Sequence, residues 1–346
     1  MELAFVIEKF VLITVIFLIS LGVAAYSTLA ERKIAGYLQD RVGPNRAGPG
    51  GMFQPLADGL KMFFKEEIIP SASSKTLFII GPSLALLTAC IGSAVIPWGP
   101  DIEIAGRMVS LQVADINVGI LYVFGVVALG VYGLMIGGWA SNNKFSLMGG
   151  IRAASQSISY EIPMGLSLIG LLLLTNSLSL KEIVEQQHGA NWNIFYQPLG
   201  FLIFLVCSFA ETNRTPFDLP ECETELVGGY HTEYSGFKMG AFMFAEYVNM
   251  FVSSAIMATL YFGGYNYPGM DYVNNLVGPV IGPLLGMGVL FLKIFVFIFF
   301  FMWVRWTVPR FRYDQLMNLG WKVLIPLAIA NIVITGIWIT VYDKLF

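Results

Sequence analysis

Long runs of apolar residues constrain the fold of this chain more than any other feature of its sequence. We predict eight membrane spans from them, because most of the runs approach the roughly 20 residues with which a helix crosses a bilayer. The predicted spans are Phe10–Leu29, Leu77–Trp98, Gly119–Trp139, Ser155–Leu174, Pro198–Ala210, Met239–Tyr261, Gly282–Val304 and Val323–Tyr342. The fifth run is short, so we expect its helix to begin before Pro198 and to continue to Glu211. The sequence therefore predicts an all-α, polytopic integral membrane protein with about eight transmembrane helices and short interfacial helices.

The composition is that of a single membrane domain over residues 1–346. Hydrophobic residues make up 56% of the chain and charged residues only 12%, against about 25% charged in a soluble domain. No internal repeat is evident, which argues against an inverted-repeat transporter. The scattered cysteines and histidines show no metal, iron–sulfur or haem spacing, and no P-loop or dinucleotide fingerprint occurs. We therefore expect no metal, no covalently bound cofactor, no redox centre and no nucleic-acid partner.

Basic residues fall overwhelmingly on one side of the predicted spans. Fifteen of them lie in one set of loops, and only Lys9, Arg107, Lys181 and Lys344 lie on the opposite side. Because cytoplasmic loops carry an excess of Lys and Arg, the first set is predicted to be cytoplasmic and both termini to lie outside. The cytoplasmic loops then include residues 31–76, 211–238 and 305–322.

The loop over residues 31–76 combines a turn-rich segment with a short amphipathic helix. Its first part is dense in Gly and Pro, which favour sharp turns. Residues 54–67 place Leu56, Leu60 and Phe63 on one face, as in a helix that lies along the membrane surface. Such a helix is either a topological anchor or the lip of a side entrance for a lipid-soluble ligand.

The loop over residues 211–238 gathers carboxylates next to the membrane, where they cost several kcal/mol unless they are protonated, paired or wetted. They are Glu211, Asp218, Glu221, Glu223, Glu225 and Glu233, with Arg214 as a cation among them. We expect a helix to start near Asp218–Glu221, with Glu221 and Glu225 on one face and Glu223 about 200° away. Close carboxylates titrate as a group and share protons near neutral pH. The alternative is a solvated acidic loop.

Three charged residues lie inside predicted spans. Glu161 precedes Pro163, Glu246 lies in the sixth span, and Lys293 lies in the middle of the seventh. Intramembrane ionisable residues usually mark a functional site, although a Glu161 paired with one basic residue would be structural. Lys293 is expected to meet a carboxylate or a wet cavity, or else to snorkel. The third span contains no acidic residue.

The loop over residues 305–322 is basic. Arg305, Arg310 and Arg312 either hold the topology, clasp the acidic loop or dock a partner.

Four parts of the chain are distinctive as motifs. They are ERKIAGYLQDRVGPNRAGPGG with QPLADGLKMFFKEE, then SISYE, then ETNRTPFDLPECETELVGGYHTEYSGFKMGAFMFAEY, and finally WVRWTVPRFRYDQLMNLGWK. Together they resemble one family, the H subunits of bacterial respiratory complex I with their mitochondrial counterpart, NADH dehydrogenase subunit 1. The resemblance runs from about Glu31 to the eighth span.

The resemblance implies a subunit at the junction of the hydrophilic redox arm and the membrane arm, which quinone enters from the membrane. Motif by motif, it assigns to a quinone chamber Glu31, Arg32, Gln39, Arg41, Gln54, Asp58, Lys61 and Phe63. It assigns to a carboxylate-lined proton path Glu161, Glu211, Asp218, Glu221, Glu223, Glu225 and Glu246. Arg214 and Lys293 would be counter-charges to these acids.

The resemblance also implies the surroundings of the chain. Quinone would be the substrate, while NADH, flavin and iron–sulfur clusters would be bound by other subunits. Expected partners are quinone-site subunits of the hydrophilic arm, small and antiporter-like membrane subunits, and lipid. The expected location is the bacterial inner membrane.

Two other classes of function stay open from the residues alone. An autonomous ion transporter would use the embedded carboxylates, and a structural anchor for a soluble arm would use the cytoplasmic loops. A membrane subunit of a related energy-converting hydrogenase is a variant of the complex I interpretation.

Overall fold

Helices account for nearly all the regular structure in the computed structural model, which describes residues 2–104, 107–278 and 281–345. One two-stranded antiparallel sheet is formed by β1 (Ile102–Ile104) and β2 (Arg107–Val109). The helices are α1 (Glu2–Leu38), α2 (Gln54–Phe64), α3 (Lys75–Ile91), α4 (Gly119–Ala140), α5 (Lys144–Thr175), α6 (Leu180–Gln186), α7 (Asn193–Tyr196), α8 (Pro198–Glu211), α9 (Glu223–Leu226), α10 (Gly236–Tyr261), α11 (Met270–Val277), α12 (Ile281–Thr307), α13 (Tyr313–Asn318) and α14 (Ile325–Leu345). Short 3₁₀ turns lie at Pro49–Gly51, Gly92–Val95 and Gly229–His231, and a π-helical turn at Leu319–Leu324 joins α13 to α14.

Seven helical segments within the described residues are long and apolar enough to cross a membrane. They correspond to seven of the eight predicted spans, so the expected all-α, polytopic membrane fold is confirmed. The remaining predicted span is α8, a shorter apolar helix of 14 residues. At 1.5 Å per residue it is about 21 Å long, less than the roughly 30 Å of a hydrocarbon core.

The helix α8 ends at Glu211, as predicted, but it does not begin before Pro198. Pro198 occupies its first turn, and the preceding Gln197 has φ −129° and ψ 53°. A proline disfavours helical geometry in the residue before it, so the chain breaks there and α7 stays a separate turn. The prediction of an earlier start was wrong for this reason.

The boundaries of the loop predicted over residues 31–76 also differ from the prediction. The first helix continues to Leu38, so Glu31 and Arg32 lie on α1 rather than in a loop. The helix predicted over residues 54–67 ends at Phe64, because Lys65 is extended, with ψ 135°. Leu56, Leu60 and Phe63 are exposed on it, as expected for a face turned to the membrane surface.

The helix α10 forms the centre of the bundle and packs against α1, α3 and α12. It is the most deeply buried of the spanning helices. On one side of it, α3 and α4 approach so closely that a Cβ on Gly133 would lie 2.7 Å from the backbone nitrogen of Ala85. Small residues allow such close backbone contact between membrane helices. The helix α5 packs against α4, α8 and α14.

Candidate functional site: a cavity joined to buried charges

A cavity of about 240 Å³ lies where α2 meets the ends of α1, α10 and α12. The helix α2 supplies Pro55, Asp58 and Met62 to its wall. The opposite wall is charged and is formed by Glu31, Arg214, Glu221, Glu246 and Arg305. The cavity therefore connects the helix at the predicted membrane surface to acids and bases from four separate parts of the chain.

Arg214 is the centre of the charged wall and is only 3% exposed. Its Nη1 lies 3.1 Å from Glu31 Oε2, and its Nη2 lies 3.8 Å from Glu246 Oε2. The guanidinium also stacks over the ring of Tyr247, 4.1 Å from its centroid. Buried charges persist only when they are well paired, and the two carboxylates and the ring stabilise the Arg214 cation, although its Nε and Nη2 have no hydrogen-bond partner within the described residues.

Glu31 is held by three partners. Besides Arg214 it accepts a hydrogen bond from the Tyr247 hydroxyl at 2.8 Å and pairs with Arg305 Nη1 at 2.6 Å. Arg305 is in the last turn of α12, where the helix dipole favours a cation. The sequence left three roles open for the basic loop. The structure shows that Arg305 forms an ion pair with an acid, although this acid, Glu31, belongs to α1.

Tyr230 links two carboxylates inside the protein. Its hydroxyl lies 2.5 Å from Glu221 Oε1 and 3.0 Å from Glu246 Oε1. Burial, followed by the charges of these two carboxylates, raises the pKa of Tyr230 well above its ordinary value. The phenol therefore stays protonated and is a hydrogen-bond donor between the two acids.

The backbone around Tyr230 explains why the ring reaches this position. Gly229 has φ +60°, and a Cβ on it would lie only 1.7 Å from the Pro220 carbonyl oxygen. The turn is then fixed on α5, because the Ser146 hydroxyl donates to the Tyr230 carbonyl at 2.7 Å. Only glycine allows this close approach.

Two ion pairs continue the cluster toward the predicted cytoplasmic side. Glu221 Oε1 lies 3.5 Å from His231 Nδ1, and Asp218 Oδ2 lies 3.0 Å from Arg310 Nη2. Burial raises the pKa of Glu221, but His231 and the other hydrogen-bonding neighbours outweigh it, so the net pKa is low. For Asp218, burial and the charge of Glu221 outweigh the nearby arginines and raise the pKa to about 6.

Glu161 and Glu211 form a second acidic pair farther along the bundle. Ser157 lies between them, with its hydroxyl 3.3 Å from Glu161 Oε1 and 3.2 Å from Glu211 Oε2. A smaller cavity of about 40 Å³ borders Glu211 and lies among α4, α5, α8 and α10. Ser157 was not singled out in the sequence, although it is four residues before Glu161 and hence on the same face of α5.

Glu223 and Glu225 are not part of the buried cluster. Both are exposed, and Glu225 pairs with Arg152 at 2.6 Å. The chain stays non-helical through Cys222 and α9 begins only at Glu223, so Glu221 and Glu225 do not share a helical face. The predicted helix start near Asp218–Glu221 was therefore wrong, and the fold of the loop instead leaves Glu221 half-buried.

Lys293 also differs from expectation. Its Nζ donates to the carbonyl oxygens of Phe262, Gly264 and Asn266 at 2.6–2.8 Å and lies 4.9 Å from the Trp192 ring. Within the described residues no carboxylate pairs with it. The expected role of counter-charge to the acids is thus contradicted, because the ammonium group caps the end of α10.

The residues assigned by resemblance to a quinone chamber separate into two groups. Glu31, Arg32 and Asp58 line the larger cavity; Arg32 pairs with Asp58 at 2.7 Å, and Gln54 donates to Asp58 at 2.9 Å. Outside it, Arg41 donates to Gln39 at 2.7 Å, Lys61 is exposed, and Phe63 stacks on Phe237 with centroids 4.7 Å apart.

Sequence reasoning missed the two tyrosines of the cluster. Tyr230 and Tyr247 each donate to a buried carboxylate. Tyr247 directly follows Glu246, and Tyr230 directly precedes His231 in the acidic loop. A tyrosine adjacent to an intramembrane acid is a signal that could have been used, because a buried hydroxyl needs a hydrogen-bond partner.

The fold and site together define a polytopic α-helical membrane protein in which a cavity between α2 and the ends of α1, α10 and α12 reaches a cluster of charged side chains. The model of the NADH dehydrogenase family matches residues 10–336 of the chain. The NADH-quinone oxidoreductase H subunit of Flavobacterium johnsoniae is 64% identical over 99% of the chain and 98% of its own length. One from Geobacter sulfurreducens is 49% identical over 94% of the chain and 93% of its own length. The chain belongs to this family, the NADH-quinone oxidoreductase H subunits, as its motifs predicted.

Proposed function

We propose that the chain is a non-redox membrane subunit of a proton-translocating NADH:quinone oxidoreductase. The names of its relatives, which are H subunits of NADH-quinone oxidoreductases, support this role. NADH, flavin and iron–sulfur clusters then belong to other subunits, and this chain contributes protein groups alone. Its partners are quinone-site subunits of the hydrophilic arm, small and antiporter-like membrane subunits, and lipid. The complex lies in the bacterial cytoplasmic membrane with both termini of this chain on the periplasmic side, an orientation that its basic loops favour.

The larger cavity forms part of the quinone chamber in this proposal. The observation that carries the proposal is the composition of the walls, with the amphipathic helix α2 on one side and ionisable groups on the other. A quinone has a polar head that takes up two protons on reduction and an apolar tail. Arg32 and Asp58 offer hydrogen bonds at the cavity wall, while the exposed Phe63 and Leu60 give the tail an apolar contact at the membrane surface.

The charge cluster couples quinone reduction to proton movement. Reduction of the quinone changes the charge in the cavity. Because the dielectric constant is low there, this change alters the electrostatic energy of the nearby Glu31, Arg214 and Glu246. Tyr230 bridges Glu246 to Glu221, so a proton gained by one acid alters the hydrogen bonding of the other. The acids Glu211 and Glu161, bridged by Ser157, continue the path along the membrane.

The test compares buried and exposed acids in the assembled complex. Glu221→Gln and Glu246→Gln each remove one ionisable group while keeping the shape of the side chain, and Glu223→Gln is the exposed control. We expect quinone reduction and proton pumping to fall by about a hundredfold in the first two variants and to be unchanged in the third. Full activity with pumping in both buried variants would exclude the cluster as the coupling element.

The entrance is tested separately with aromatic substitutions on α2. Phe63→Trp changes the residue that stacks on Phe237, whereas Phe64→Trp alters the neighbouring ring, which is 85% exposed. We expect Phe63→Trp to change the KM for short-chain quinones or the sensitivity to quinone-site inhibitors, with Phe64→Trp close to wild type. Unaltered kinetics with every quinone would count against this entrance.

A further inference from the structure

Another cavity, of about 390 Å³, opens at the surface of the bundle where α8 begins. It lies between the last turn of α5, the short helix α7, the start of α8 and one face of α14, and we call it the lateral cavity. Its rim residues Phe195, Ile334 and Trp338 are exposed. Because α8 is too short to cross a hydrocarbon core, we expect the lateral cavity to open into the interior of the bilayer.

The floor of the lateral cavity is polar and is formed by Gln197, Asn331 and Thr335, all of them buried. Gln197 Nε2 donates to Thr335 Oγ1 at 2.6 Å, and Asn331 Nδ2 donates to Gln197 Oε1 at 2.8 Å. A Cβ on Gly170 would lie 2.7 Å from Asn331 Nδ2 and one on Gly200 3.3 Å, so the amide nitrogen is turned to α5 and α8. Polar side chains commonly join membrane helices in this way, so these bonds by themselves are structural.

One atom of this network is left without a donor. The Thr335 hydroxyl donates to the Asn331 carbonyl at 2.7 Å, so its oxygen accepts from Gln197 Nε2. Gln197 must then present Oε1 to Asn331, which uses its Nδ2. Asn331 Oδ1 remains, and in the described part of the chain no group donates to it, although Asn331 is only 6% exposed. An amide oxygen left unpaired at membrane depth costs free energy, so Oδ1 requires a donor from the cavity.

The donor must be soluble in the membrane interior. Asn331 lies near the middle of the predicted span Val323–Tyr342, about 12 Å along the helix from one end and about 17 Å from the other. The head groups of phospholipids stay outside the hydrocarbon core and do not reach this depth. A reduced quinone does, and its ring carries hydroxyl donors, whereas an oxidised quinone has carbonyl acceptors in their place. Phe195, Tyr196 and Trp338 offer aromatic faces to such a ring.

We propose that the lateral cavity binds reduced quinone, with one ring hydroxyl donating to Asn331 Oδ1. The cavity has a volume typical of small-molecule sites, which are mostly apolar with a few placed polar groups. It shares no lining residue with the cavity assigned to the quinone chamber, so it is a second site, for the product after release into the membrane. This inference rests on the proposed function, because it takes the ligand to be the product of the complex.

The experiment labels the assembled complex with a quinol that carries a photoreactive diazirine on its tail, without air and without NADH. Ile334→Trp fills the lateral cavity from an exposed position. Val333→Trp is the matched control, because Val333 is also exposed but does not line the cavity and points about 100° away on the helix. We expect labelling of peptides from α7 and α14 to fall about tenfold in Ile334→Trp and to be unchanged in Val333→Trp. NADH oxidation with a hydrophilic electron acceptor verifies assembly.

The hydrogen bond is tested with the oxidised form of the same probe. In wild type the quinol should label α7 and α14 about ten times more than the quinone does, the effect of one hydrogen bond. Asn331→Leu removes the acceptor and should abolish this preference.

Two results would overturn the quinol site. One is equal labelling of wild type by the oxidised and reduced probes. The other is equally strong labelling by a phosphatidylcholine with the same photoreactive tail, which would make the cavity a general lipid groove. Neither result depends on turnover, so the proposed function would stand or fall separately, on the pumping of Glu221→Gln and Glu246→Gln.

Discussion

The hydroxyl of Tyr230 lies 3.0 Å from Glu246 Oε1 while it is also 2.5 Å from Glu221 Oε1. A phenol has one proton to donate, so it cannot satisfy two ionised carboxylates at once. The trio is fully hydrogen-bonded only when one carboxylate also carries a proton. Tyr230 therefore makes the protonation of one acid depend on that of the other.

Tyr230→Phe tests this dependence. The substitution keeps the buried ring but removes the shared hydroxyl, so we expect quinone-linked proton pumping to fall about tenfold or more in the assembled complex. Tyr234→Phe is the control, because the Tyr234 hydroxyl donates to the Gly137 carbonyl and touches neither acid. Equal pumping rates in the two variants would show that the phenol is structural.

Arg214→Leu tests the pairing of the buried charges. It leaves Glu31 and Glu246 without their common cation, and breaking a buried pair from one side costs about 3–5 kcal/mol. We expect a lower thermal midpoint and less assembled complex. Arg312→Ala removes an exposed pair with Asp314 and should leave the thermal midpoint unchanged, because exposed ion pairs contribute little to stability. A stable, fully assembled Arg214→Leu complex would contradict the pairing argument.

His231→Gln tests a pH-dependent contact. Burial lowers the pKa of His231, but the Glu221 carboxylate, with Asp218 and Glu223, raises it by more, so the net pKa lies above the ordinary value. A raised histidine pKa stabilises the fold below the unfolded pKa, and that stability is lost as pH rises through the folded pKa. The thermal midpoint of wild type should therefore exceed that of His231→Gln more at about pH 6 than at about pH 8.5. An identical difference at both values would contradict the ion pair with Glu221.

Lys293→Met tests the capping role that replaced the expected counter-charge. The substitution leaves three carbonyls at the end of α10 without a donor, which should cost about 3 kcal/mol or more. We expect less assembled complex, but an unchanged ratio of protons pumped to NADH oxidised in what remains. Lys322→Met, at an exposed lysine, should affect neither quantity. A changed ratio would instead support the expected role of Lys293 as a counter-charge to the acids.

Val227→Gly tests strain in the acidic loop. Val227 has φ 67° and ψ −53°, and Gly228 N–H bonds to the Leu226 carbonyl at 2.7 Å. This is a γ-turn in a conformation that is strained for a β-branched residue. Relief of that strain should stabilise the protein by about 1 kcal/mol, measured as a higher thermal midpoint. Val227→Ala retains the strain and should not reproduce the gain.

Local sequence predicted the elements of this site well. The apolar runs predicted the spanning helices, and the apolar face of residues 54–67 predicted the interfacial helix α2. Both depend on interactions within about one or two helical turns, which a sequence pattern contains directly. The break before Pro198 is also a local effect. The restriction that a proline places on the residue before it could have corrected the predicted start of α8.

Local sequence could not predict which of the acids turn toward the interior. Glu221, Glu223 and Glu225 are almost adjacent in sequence, yet only Glu221 turns inward to Tyr230. That choice depends on the close approach of Gly229 to Pro220 and on the contact between Ser146 and the loop. The partners of Lys293 could not be predicted for the same reason, because they are backbone carbonyls, which every residue has.

The sequence by itself determined that this protein is a helical membrane bundle, that it carries acids in and next to its spans, and which family it belongs to. The tertiary structure decided which charges meet. Glu31 and Arg214 are 183 residues apart and nevertheless form a buried pair, because the tertiary fold brings the loop that follows α8 to α1. Hydrophobic periodicity is a property of neighbouring residues, whereas the desolvation and pairing of a charge depend on every element packed around it.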